Sequence, residues 1–362
     1  MDSDDVSRPV NWYRSPVDAE VMRQLCKRSD LMAWLQTGGY IAVLLATGTL
    51  AFYSSRHWGV WWTLLLIFVH GTCFGFMINA VHELGHGTVF KSKSLNNFFA
   101  NLFAFLGWIN HRTFAASHIR HHRSTLHPPE DLEVVVPIAI TVKDFIKNAF
   151  VSPWGFYNTV KGHWRTAFGP FPEGEWGMKM FPVSAVAKRK AAVDWSRTLL
   201  AGQAIIVVAA LVLKLWILIV LITVAPFYGG CLFFFCNNTQ HVGLQDFSTD
   251  FRLCARSFMP NPVFRFLYWH MNYHVEHHMY VGVPCYKLHK LRRLIESDLP
   301  PCKGIVGTWL EIAAIMKRQK VEPGYVFVPV IPRTEIPLQA ARKPTTGLAG
   351  ASRRPGSDSV SS

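Results

Sequence analysis

The chain has 362 residues, of which half are apolar, 14% aromatic and only 17% charged, far more apolar than an ordinary water-soluble domain. Its 37 Lys and Arg against 23 Asp and Glu leave a formal charge of +14. The basic residues form no aromatic-interleaved stripe, so nucleic acid is set aside as a partner in favour of a membrane surface. Seven cysteines without a CxxC or paired spacing read as reduced thiols rather than a disulfide framework.

In chain order, residues 1–35 begin MDSDDVSRPVNWYRSP, polar and acidic. They are expected to be a cytosolic segment without a cleavable secretory signal, because no basic stretch leads into a short apolar core. Residues 36–299 are expected to form an all-α integral membrane domain. Within it, Gly38 to Tyr53 and Trp58 to Ala80 are apolar runs joined by the polar turn SSRH, which predicts a first transmembrane hairpin. NNFFANLFAFLGWIN, from Asn96 to Asn110, is too short for a crossing and predicts an interfacial or buried helix. The next apolar region, Thr198 to Phe235, would be about 57 Å long as one helix, nearly twice a hydrocarbon core of ~30 Å. It is therefore expected to double back at Lys214 as a second hairpin. A single tilted span would bury that lysine, at a cost of about 2.5 to 3.5 kcal/mol on insertion scales.

Four crossings place the N-terminus, residues 82–197 and everything after Phe235 on one side. That side carries Arg23, Lys27, Arg28, Lys91, Lys93, Arg120, Arg123 and the run Lys188, Arg189 and Lys190, whereas the opposite turns carry Arg56 and Lys214. This asymmetry predicts that both termini and the segments between the hairpins are cytosolic, the latter as a helical cap. Residues 300–333 are expected to hold a cytosolic helix around Trp309 to Lys317 and a proline-punctuated extended stretch. Residues 334–362, small and polar, are expected to be a disordered tail.

Of the 16 histidines, nine occur with metal-ligand spacing. His82 and His86, in HELGH, are one helical turn apart. His118, His121 and His122 occur in HIRHH, and His274, His277 and His278 in HVEHH. Each triplet, at i, i+3 and i+4, is expected to share one helix face and present three imidazoles to a common point. His241 stands beyond the last apolar run, with Asn237 four residues earlier. HELGH alone matches the HExxH pattern of zinc metalloproteases, in which Glu83 would be the general base. Nine histidines and an asparagine overfill one such ion and suit two, and a thiolate-free imidazole shell favours iron, copper, nickel or zinc. His57, His70, His111, His127, His163, His270 and His289 are read as ordinary side chains.

HELGH, HIRHH and HVEHH, in the order hairpin, two boxes, hairpin, box, resemble the three histidine boxes of the integral-membrane fatty acid desaturase and hydroxylase superfamily. The resemblance runs from Gly38 to Leu294. It implies two non-haem iron ions at the cytosolic face, held by the eight box histidines with Asn237 and His241 as the ligand pair outside the boxes. It also implies O2 as co-substrate and a lipid acyl chain as substrate, with electrons from cytochrome b5 and its reductase or from a ferredoxin. The family often follows HH with a hydrophobic residue and Phe-Pro, whereas this chain reads HHMYVGVP, with Val281 in place of the first proline. In this reading Glu83, and Glu276 likewise, orients a ligand histidine through its ring N–H. The membrane would be the endoplasmic reticulum in a eukaryote and the plasma membrane in a bacterium. The runner-up is a di-iron hydroxylase of a lipophilic metabolite. More distant alternatives are an intramembrane zinc metalloprotease and a metal transporter, the latter opposed by spans that carry only His70 and Lys214 as ionisable groups.

Overall fold

The computed structural model describes residues 10–332 except 137, 139, 172 and 173, so the tail expected at 334–362 lies outside the described residues. Among them all regular structure is helical, and the only strand-like pairings are two isolated bridges, Tyr13 with Asp250 and Val151 with Tyr228.

After a short α1 (Ala19–Cys26), the chain enters α2 (Asp30–His57). Ser29 caps it by accepting from the Met32 N–H, Asp30 lies in its first turn and Arg56 and His57 in its last, all favourable to the helix dipole. Ala33, Gln36, Thr37, Tyr40 and Leu44 form its buried stripe, while Leu31, Leu35, Leu45 and Leu50 are exposed. A helix apolar on both faces, buried on one, is suited to lipid on the other. The chain turns at Trp58 and Gly59 into α3 (Val60–Phe74), which packs along α2, and almost without interruption into α4 (Met77–Gly85), which carries His82. This places HELGH at the end of the helical column that packs against α2.

The amphipathic α5 (Lys93–Leu106) buries Asn96, Phe99, Ala100, Phe103 and Ala104 and packs on α4, matching the expected buried helix. Next, α6 (His111–Ser124) is capped by Asn110, whose amide also donates to Ala192 O and Ser196 Oγ, each at 2.9 Å. Three helices follow, α7 (Val142–Ala149), α8 (Pro153–Phe168) and α9 (Glu175–Met180). They lead into α10 (Val186–Val212), which begins twelve residues earlier than the apolar run suggested.

The chain reverses at Lys214, as expected, through a left-handed backbone conformation (φ 57°). The return is not a continuous helix. It runs through a π-helix (Ile219–Thr223), a 3-10 turn (Ala225–Phe227), Gly229 at φ 71° and α11 (Cys231–Asn237). Pro226 interrupts the helical hydrogen bonding, and the freed carbonyls are taken up by side chains. His70 Nε2 reaches Leu221 O at 2.9 Å, Trp108 Nε1 donates to Thr223 O at 2.7 Å and Thr72 Oγ1 to Gly229 O at 2.9 Å. Among the described residues, three helices are long and apolar enough to cross a membrane, Asp30–His57, Val60–Gly85 and Val186–Val212, against the four crossings expected.

The remainder forms a compact helical cap: α12 (Phe251–Cys254), α13 (Pro262–Leu267), α14 (His274–Met279), α15 (Leu288–Ile295) and α16 (Ile305–Val321). The last is longer than the helix expected around Trp309. An N-terminal strap ties this cap down. Tyr13 Oη donates to Asp298 at 2.6 Å, Ser15 Oγ to the same carboxylate at 2.7 Å, and Arg14 Nε to Met279 O at 2.8 Å.

Candidate metal centre

All nine histidines converge, from three separate helices, α4, α6 and α14, and the turn that holds His241. They form two groups, His82, His86, His118, His122 and His277 in one and His121, His241, His274 and His278 in the other. Within each group the ligand nitrogens lie within 4.8 Å of one another. The groups are neighbours: the rings of His122 and His278 are 4.5 Å apart. None of the seven histidines read as ordinary belongs to either group. His163, for example, is held by Trp108 O at 3.0 Å and Ser196 Oγ at 3.3 Å.

The expectation that each triplet faces one point is corrected. His118 and His122 enter one group and His121 the other; His274 and His278 enter one and His277 the other. At about 100° per residue, i and i+4 diverge by only 40°, whereas i+3 lies 60° to the other side of i, and 100° from i+4. The third imidazole of each box therefore crosses to the neighbouring group. Both α6 and α14 serve both groups.

Several of the ring nitrogens facing away from the groups have specific partners. His82 Nδ1 lies 3.1 Å from Glu83 Oε1, and His277 Nδ1 3.6 Å from the same oxygen. His118 Nδ1 meets Glu133 Oε1 at 2.9 Å, His121 Nδ1 meets Asp131 Oδ2 at 2.8 Å, and His241 Nδ1 donates to Cys254 O at 2.7 Å. Sequence reading found Glu83 but missed Asp131 and Glu133, although the string DLE a few residues after HIRHH was the available signal. Glu276 does not do what was expected of it. It pairs with Arg292 Nη1 at 2.6 Å and accepts from Ser257 Oγ, on the side of α14 opposite the imidazoles. It lies about 200° around the helix from His274, which explains the difference. Asn237 ends α11, half-buried, four residues before His241.

The donor set fits metal ions. With the ring proton assigned to Nδ1 by these partners, the Nε2 of His82, His118, His121 and His241 presents a lone pair inward, whereas the Nδ1 of His122, His274 and His277 has no hydrogen-bond partner. Yet Nε2 atoms face one another at 2.8 Å (His118 and His122), 2.9 Å (His241 and His274), 3.1 Å (His274 and His278) and 3.3 Å (His122 and His277). A cation between such nitrogens takes up their lone pairs; without one, a pair is accommodated only where one of the two Nε2 atoms carries the ring proton. Burial, reinforced by the neighbouring rings, keeps His118, His122, His274, His277 and His278 well below the usual imidazole range, and His241 is lowered to about 3. They are neutral near pH 7, as ligation requires. His121 is the exception. Burial pulls it down, but the charge and hydrogen bond of Asp131, with Glu133 nearby, lift it above its ordinary value.

An all-helical protein with membrane-length helices and two adjacent polyhistidine groups belongs to the class of membrane metalloenzymes. Sequence comparison makes this more specific: the model of the family described as Fatty acid desaturase matches residues 56–306, well over half of the chain. The chain belongs to that family, which implies an oxidoreductase of the membrane desaturase and hydroxylase type. No match is found among curated proteins.

Proposed function

We propose that this protein is a membrane-bound di-iron oxygenase that desaturates a lipid acyl chain, using O2 and electrons from a separate donor. The observation that carries this reading is the convergence of nine imidazoles into a five-histidine and a four-histidine group whose nearest rings, His122 and His278, are 4.5 Å apart. In it, His82, His86, His118, His122 and His277 hold one iron, and His121, His241, His274 and His278, with Asn237, hold the other. Bound iron supplies the oxidising power, drawn from O2 and external electrons, that no side chain has against an unactivated C–H bond.

The protein's own groups prepare that chemistry. Glu83, Glu133 and Asp131 fix ring protons on Nδ1 and so keep Nε2 free. Met77, Ala80 and Leu84, buried on the helix that carries His82, restrict water along it. The exposed apolar faces of α2 and α10 set it beside the bilayer, from which an acyl chain enters. Over the reaction the acyl chain gives up two hydrogens, which leave as water with the oxygen, two donor electrons and two protons. Cytochrome b5 with its reductase, or a ferredoxin, supplies those electrons at the basic cytosolic face. Residues 215–237 make a fourth crossing as a broken segment, so both termini lie with the histidines in the cytosol.

A zinc peptidase accounts for only one histidine pair and leaves Glu83 engaged with His82 rather than free as a base. Hydroxylation of a lipophilic metabolite is the alternative outcome within the same family. Expression with a suitable donor, metal analysis and untargeted lipid mass spectrometry test the proposal. Loss of two hydrogens from an acyl chain supports it, gain of one oxygen favours the hydroxylase, and a single zinc per chain refutes both.

A further inference from the structure

On the outer side of α14, behind the metal centre, a cavity of about 290 Å³ is lined by Met259, Arg265, Tyr273, His289, Arg292, Arg293 and Glu296. None of the nine clustered histidines lines it. Its volume is just below the roughly 300 to 1,000 Å³ of typical small-molecule sites, enough for a compact polar group and too small for an acyl chain.

Its charge is unbalanced. Arg292 is committed to Glu276 at 2.6 Å and to Pro300 O at 3.0 Å. Glu296 adds one exposed carboxylate. Against these stand Arg265 and Arg293, neither of which forms an ion pair among the described residues. The Arg265 guanidinium lies over the Tyr273 ring, 6.0 Å from its centroid, and its Nε is buried with no hydrogen-bond partner. A buried, unsatisfied N–H on a charged fork is costly to leave unmade. Two unpaired guanidinium groups in a half-enclosed cleft suit the tetrahedral oxygens of a phosphate, which accept bidentate pairs from arginine.

We infer that this cleft is a phosphate-binding site, held by Arg265 and Arg293, for a phosphate ester: the headgroup of a bilayer phospholipid or a soluble phosphoester. Through Arg292 and Glu276 it backs directly onto the helix that carries His274, His277 and His278. The site stands on its own residues and does not depend on which metal the histidines hold.

The test uses the full-length protein in detergent, titrated with inorganic pyrophosphate by calorimetry or thermal shift. Wild type is expected to bind saturably. Arg293→Gln, an exposed position that leaves the fold untouched, is expected to weaken binding about tenfold or more, as is Arg265→Gln, with Arg265→Lys partly restoring it. Arg318→Gln, at a distant exposed pair with Glu322, serves as the control and leaves affinity unchanged. Equal affinity in wild type and Arg293→Gln, or an equal loss in the control, overturns the inference, as does absence of saturable binding. Repeating the titration in nanodiscs separates the sources. Competition by an anionic phospholipid, absent with a zwitterionic one, assigns the site to the bilayer headgroup; undiminished binding in both assigns it to a soluble phosphoester.

Discussion

Asp131 holds His121 in place: its Oδ2 accepts from the ring Nδ1 at 2.8 Å and from the Leu126 N–H at 2.9 Å, while Oδ1 accepts from the Glu133 N–H at 2.9 Å. The carboxylate is fully buried, and these contacts hold it below the usual carboxylate range although burial alone would raise it. A charged acceptor fixed by two backbone amides pins the ring's tautomer and orientation together. Asp131→Asn is expected to lower metal affinity or turnover by roughly 10- to 100-fold, with Glu133→Gln acting similarly on the other group through His118. Metal titration of the purified variants checks this, and wild-type affinity in Asp131→Asn would contradict it.

Removing one ligand is expected to affect its spatial group, not its sequence box. His277→Ala belongs with His82, His86, His118 and His122, so it should abolish turnover and deplete the metal of that group first, although it neighbours His278 in sequence. His163→Ala, which loses bonds to Trp108 O and Ser196, should lower stability and leave metal content unaltered. Metal-to-protein ratios for the two variants measure the contrast.

Acid is expected to destabilise the metal-free protein between about pH 6.5 and 4. Burial, with help from Arg112, lowers His111 to about 4, and burial, with His289 and Arg265, lowers His270 to about 4. An imidazole freed by unfolding protonates near its ordinary value of 6.5, so below that pH the unfolded chain binds more protons and stability falls as pH falls. The effect levels off once the folded-state groups also protonate, near pH 4. Tryptophan-detected thermal unfolding across this range follows it; a flat profile would show that these rings stay solvated. Bound metal should add an acid limb of its own, since protons compete for the same nitrogens.

Packing of α3 against the broken return segment leaves no room at Gly71. A Cβ there would overlap the Tyr228 ring and sit 2.5 Å from Tyr228 O. Gly71→Ala is expected to destabilise by about 1–3 kcal/mol or more, whereas Gly59→Ala, with nothing within 4 Å, should be neutral or nearly so. Unfolding midpoints in one detergent compare them.

Much of this protein was legible in its residues. Apolar run lengths gave α2, the α3–α4 column, α10 and the reversal at Lys214, because bilayer thickness and backbone hydrogen bonding constrain such segments before any tertiary contact forms. Histidine spacing likewise marked all nine clustered imidazoles, since metal ligation demands that residue type at helical intervals. What spacing along one helix cannot encode is which other helices face it. Only the assembled packing divided the boxes into a group of five and a group of four, turned Glu276 outward to Arg292, and brought Asp131 and Glu133 behind their rings. It also decided that the return from Lys214 is broken into short pieces, because carbonyls released around Pro226 can stay unpaired by their own helix only when His70, Thr72 and Trp108 arrive from elsewhere to meet them.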